Sequence, residues 1–70
     1  MMMIDNNKNE YVGIVDGVEK ECVISYNNTK DMYELIESEN GKIINKYYSV
    51  KREGMVTLAN VLTTDTTREK

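Results

Sequence analysis

Met32-Tyr33-Glu34-Leu35-Ile36-Glu37-Ser38 and Lys42-Ile43-Ile44-Asn45-Lys46-Tyr47-Tyr48-Ser49-Val50, joined by Glu39-Asn40-Gly41, read as a β-hairpin. Asn-Gly tolerates the positive φ that a type I′ turn imposes on both central residues, and here it separates two runs of apolar and aromatic residues. A short helix over 30–40 competes for the first arm. Thr29 would be its N-cap, Met32, Tyr33, Leu35 and Ile36 fall at helical spacing, and Gly41 would close it. The hairpin is preferred because Lys42 to Val50 needs a neighbouring strand and Asn40-Gly41 supplies the link. The return arm carries apolar residues on both faces and is expected to be a central strand.

Upstream, Glu10-Tyr11-Val12-Gly13-Ile14-Val15 and Val18 to Tyr26 read as two strands joined by a second hairpin turn at Asp16-Gly17. A two-residue loop sets Val15 opposite Val18, Gly13 opposite Lys20 and Tyr11 opposite Cys22. Tyr11, Val15, Val18, Cys22, Ile24 and Tyr26 then share one face, and Glu19, Glu21 and Ser25 the other. A three-residue loop with a bulge at Gly17 would instead turn Val12 and Ile14 to the core. Asn27-Asn28-Thr29-Lys30-Asp31 is a cluster of turn formers leading into the central hairpin. Downstream, Lys51-Arg52-Glu53-Gly54 reads as a turn, and the nearly continuous apolar run Met55 to Leu62 as a fifth strand. The expected fold is mainly β: a small five-stranded antiparallel meander, a curled sheet or small barrel, over residues 10–62. A flexible N-terminal arm at 1–9 and a flexible C-terminal tail at 63–70 flank it.

Seventy residues make one domain near the size at which a single core barely offsets the entropy of ordering the chain, so homo-oligomerisation is expected. The chain has no His, Trp, Phe or Pro and one Cys. Without imidazole there is no conventional base–nucleophile pair and no His metal site, so no catalytic residue, metal ligand or cofactor is assigned and the protein is read as non-enzymatic. Cys22 lies in an apolar strand pattern and reads as a small buried hydrophobe. Met1-Met2-Met3-Ile4 is too short for a signal peptide or a membrane span and Asp5 follows it, so a cytoplasmic protein without a membrane partner is expected.

The net charge of −3 is unevenly spread. Glu10 to Glu39 holds eight acids and two lysines, whereas Lys42 to Glu53 holds four bases and one acid. Two candidate surfaces emerge. The acidic strip, with Glu19, Glu21, Glu34, Glu37 and Glu39 as partner-binding residues and Glu10 beside them, would dock on a basic protein surface such as the groove of a nucleic-acid-handling enzyme. The competing surface is Lys46, Tyr47, Tyr48, Lys51 and Arg52, where cations interleave with rings as in sheets that bind single-stranded nucleic acid. The overall acidity opposes a polyanion, and neighbouring Tyr47 and Tyr48 must face opposite sides of a strand, so nucleic acid is the weaker reading. The charged residues also have a plain structural account, since Glu34, Glu37 and Glu39 would pair across the hairpin with Lys42 and Lys46. The sequence thus points to a small protein-protein interaction module, its partner unidentified and a homodimer expected. An Asn-, Lys-, Ile- and Tyr-rich composition of this size suggests, by analogy, a phage or mobile-element accessory protein acting as an inhibitor of a host enzyme.

Overall fold

A computed structural model describes residues 9–64. It is mainly β, with four antiparallel strands followed by one helix: β1 (Glu10–Val15), β2 (Val18–Asn27), β3 (Met32–Glu39), β4 (Lys42–Ser49) and α1 (Arg52–Leu62). The strands form one open sheet in the order β1-β2-β3-β4. Both expected hairpin turns are present. Asp16 and Gly17 have φ of 55° and 81°, and Asn40 and Gly41 have 50° and 85°, the paired left-handed residues that let two strands reverse without splaying. The Asp16-Gly17 turn fixes the two-residue register, with Val15 opposite Val18, Gly13 opposite Lys20 and Tyr11 opposite Cys22. The stretch at 32–39 is therefore strand, not the competing helix.

Two expectations are corrected. The fifth strand at 55–62 is part of α1, which lies across one face of the sheet. Its buried residues Met55 and Ala59, with Leu58 and Leu62 beside them, recur at the three- and four-residue spacing of one helical stripe. Gly54, Val56, Thr57 and Val61 are poor helix formers, so tertiary burial rather than propensity decides the outcome. Glu53 in the first turn, at the positive end of the helix dipole, favours the helix as well. Gly54, expected in a turn, lies inside this helix. The second correction concerns β4, which is an edge strand; β2 and β3 are central. The arm expected at 1–9 and the tail expected at 63–70 lie largely outside the described residues. Within them, the Asn9 carbonyl accepts from the Ile24 amide at 2.8 Å and so prolongs the β1 ladder. Thr63 and Thr64 close α1, with the Thr63 amide and hydroxyl both donating to the Ala59 carbonyl at 3.1 and 2.8 Å.

The core lies between α1 and the sheet face that carries Tyr11, Cys22, Ile24 and Leu35, of which Cys22 and Leu35 are fully buried. Tyr33, Tyr47, Val56, Leu58 and Leu62 pack around it. This layer of roughly a dozen side chains is the source of most of the fold's stability, at about 1.5–3 kcal/mol for each large one fully buried. The far end of α1 rests on β1 at Gly13. A Cβ built on Gly13 would lie 1.9 Å from the Thr63 carbonyl oxygen, so only hydrogen fits there. Gly13→Ala is accordingly expected to lift the last turn of α1 and destabilise the protein by about 1–3 kcal/mol, the usual cost of overpacking. A lowered urea midpoint, with amide exchange accelerating first in 59–62, is the measurement that checks it.

Candidate functional site

Alternation along the strands sends every second side chain away from α1, and among the described residues no element covers that second face. Its composition is set by the register. One row across the sheet reads Glu10, Val23, Ile36, Lys46 from β1 to β4, and the next reads Val12, Glu21, Ser38, Ile43. A third row reads Ser25, Glu34, Tyr48 on β2 to β4. Val12 and Ile14 on β1 and Ile43 on β4 are 60%, 59% and 57% exposed at the two edges of this face, and the half-buried Val23 and Ile36 lie between them on β2 and β3.

A bulge in β4 adds to this face. Glu37 pairs with Asn45 and Ser38 with Ile43, which leaves Ile44 as an extra residue. Pairing with Ser38 puts Ile43 on the open face, and alternation from the α1-facing Asn45 puts Ile44 there too. Two consecutive isoleucines therefore point the same way. An apolar band, Val12, Val23, Ile36 and Ile44, one residue from each strand, crosses the sheet between the first two rows.

The acids predicted to bind a partner do not stay together. Glu19, Glu21 and Glu34 lie on the open face with Glu10, whereas Glu37 and Glu39 project to the α1 side. Glu37 is only 2% exposed. Its carboxylate accepts from the Lys20 ammonium, from the Tyr47 hydroxyl at 2.8 Å and from the Asn45 amide at 3.2 Å, and Lys20 Nζ also reaches Glu39 Oε2 at 3.1 Å. The basic and aromatic set is split in the same way. Lys46 and Tyr48 are on the open face, and Tyr47 faces the core. Lys51 precedes α1, and an Arg52 guanidinium nitrogen bonds Asn9 Oδ1 at 3.0 Å. Tyr48 already has a cation over its ring, Lys30 Nζ at 5.1 Å from the centroid, and its cross-strand neighbour is Glu34. A continuous stacking and phosphate-binding track does not form.

The buried polar cluster is saturated. Burial alone would raise the Glu37 carboxyl, but its hydrogen bonds, that from Lys20 foremost, outweigh the effect and hold it below its ordinary value. The bond to Glu37 raises the Lys20 ammonium despite its burial, and the bond to the same carboxylate raises the Tyr47 hydroxyl. Burial pushes the Cys22 thiol up to about 11, so it is protonated and unreactive at neutral pH. Among the described residues, no buried side-chain polar atom lacks a partner and no cluster of metal-ligating residues occurs. A shallow hollow by the first turn of α1, lined by Arg52, Glu53, Val56 and Thr57, has no buried polar group aimed into it. No helix is long and apolar enough to cross a membrane among the described residues. The extended open face is thus the feature with binding character. Val12, Val23, Ile36 and Ile44 are not among the residues the sequence singles out for a site, because charge and aromatic content rather than strand facing select those. The signal was the two-residue turn, which turns Val12 and Ile14 away from Tyr11.

Removing one member of the buried pair strands the other. Lys20→Met is expected to cost about 3 kcal/mol, and the double exchange Lys20→Met with Glu37→Leu to recover most of it. Because the folded Glu37 carboxyl is depressed, its contribution is complete above its ordinary value of 4.5 and disappears as pH falls through the lower folded value. Lys20 is raised, so its contribution is complete below 10.5 and fades as pH climbs through the higher folded value. Urea midpoints measured on the acid side should show the Glu37 loss in the parent protein and lack it in the double variant, while on the alkaline side the buried Cys22 thiol keeps a loss in both and the parent falls further.

No protein-family model, curated protein or solved structure matches this chain.

Proposed function

We propose that the protein is a non-enzymatic protein-protein interaction module and that its working surface is the open face of the sheet. The observation that carries this is the uncovered apolar band Val12, Val23, Ile36 and Ile44, set among Glu10, Glu19, Glu21 and Glu34. An apolar centre with a polar margin is the anatomy of a protein interface. The band spans all four strands, so binding is by a face and not by a single strand edge. The acids give the face a negative bias and ask for cationic or hydrogen-bonding groups opposite them. A basic groove on a nucleic-acid-handling enzyme has that chemistry, although Glu37 and Glu39 lie on the other side of the sheet from this face.

A photo-crosslinking phenylalanine derivative placed at Ile36 tests the reading and captures whatever protein lies against the face. Illumination in cells should give a discrete protein adduct from this position, and none when the same group replaces Thr57 on the exposed side of α1. Equal adducts from both positions, or adducts from Thr57 alone, would overturn it.

A further inference from the structure

We propose that the open face is occupied by a second copy of this chain, related by a two-fold axis parallel to the strands and midway between β2 and β3. The inference rests on the open face being the interaction surface, and it names the occupant. Such an axis lays each row of one sheet over the same row of the other in reverse order. The row Glu10, Val23, Ile36, Lys46 then meets Lys46, Ile36, Val23, Glu10 of the second copy. Each end of the row becomes a Glu–Lys pair, and its middle two Val–Ile contacts. The row Val12, Glu21, Ser38, Ile43 behaves alike, setting Val12 against Ile43 and giving Glu21 a serine hydroxyl. In the third row Glu34 falls opposite Ser25. No carboxylate faces another.

The other two-fold arrangement, with the axis across the strands, fails on the same rows. Passing through the first row it stacks Glu10 on Glu10 and Lys46 on Lys46. Passing between rows it buries Glu10 against Val12 and Glu21 against Val23. Like charges brought together in an interface cost several kcal/mol, and an acid set on an apolar side chain loses its hydration with nothing in return. Strands about 4.8 Å apart and eight residues long give the sheet a footprint of roughly 19 by 27 Å, enough for a modest interface once side-chain relief is included. Two sheets packed face to face with nearly aligned strands form an ordinary sandwich, here with a helix on each outer side.

Charge reversal at the two ends of one row tests the axis. Glu10 and Lys46 lie on opposite edges of the same sheet, about 14 Å apart across three strand spacings, so they cannot compensate each other within one chain. The parent protein should have twice the chain mass by light scattering. E10K alone and K46E alone should each raise the dimer dissociation constant by about tenfold or more, since each places like charges together at both ends of the row. Mixing the two variants should restore the dimer, because the mixed pair again joins opposite charges at both ends. Circular dichroism on each variant separates loss of association from loss of fold. Should either fail to fold, V12K mixed with I43E reads the same axis through the second row. A dimer insensitive to the single reversals, or single variants that stay monomeric when mixed, would overturn this geometry. A monomeric parent whose Ile36 position still crosslinks to a different protein would overturn the second copy and leave the interaction face standing.

Discussion

The register of β2 against β3 is held by the contact between Lys20 and Glu37, and the two faces of the sheet depend on that register. A slip of one residue would exchange the faces of a central strand. It would carry Glu37 out to the open side, leave Lys20 without its carboxylate beneath the helix, and put Ile36 in place of Leu35 against Met55. The pair is largely buried, so the slipped arrangement would leave the Lys20 ammonium with little water and no carboxylate, a larger penalty than the loss of one surface ion pair. Tyr47 and Asn45 bind the same carboxylate and extend the constraint to β4. One carboxyl thus aligns three strands.

Chain length then forces an asymmetry. A sheet has two faces, and the residues after β4 supply one helix to cover one of them. The aromatic and aliphatic residues beneath α1 form a complete if thin core, while the opposite side keeps Val12, Ile14, Ile43 and Ile44 in water. Fully charged outer positions would have cost the fold little, since surface exchanges away from the core change stability by only a few tenths of a kcal/mol. Fold stability alone therefore does not account for the apolar residues on that side, which lie in rows with Glu10 on β1, Glu19 and Glu21 on β2, Glu34 on β3 and Lys46 on β4.

The hairpins were legible because their turns are encoded locally. Asp16-Gly17 and Asn40-Gly41 are short, specific and flanked by strands of matching length, so strand pairing and side-chain facing followed from them. The helix was not legible in the same way. Met55 to Leu62 is apolar at too many consecutive positions for a period of two to be told from one of 3.6, and its β-branched residues favour a strand. What decides is the empty sheet face, a fact about the whole molecule rather than about those eight residues. The same limit explains the acidic strip. Counting acids along the chain groups Glu34, Glu37 and Glu39, yet alternation puts Glu34 opposite the other two, and the charge that neutralises Glu37 comes from 17 residues upstream.

The bulge at Ile44 has a bearing on how far assembly can go. An edge strand is a template on which further strands can be added without end, which is the route from a soluble sheet to a fibre. With one residue out of step, β4 presents its outward amides and carbonyls in two segments that no single straight strand can match, and Lys42 and Lys46 on the same strand would confront their counterparts in any such addition. Growth along the hydrogen-bonding direction is checked at this edge. The same inserted residue that breaks this edge also adds Ile44 to the apolar residues of the open face.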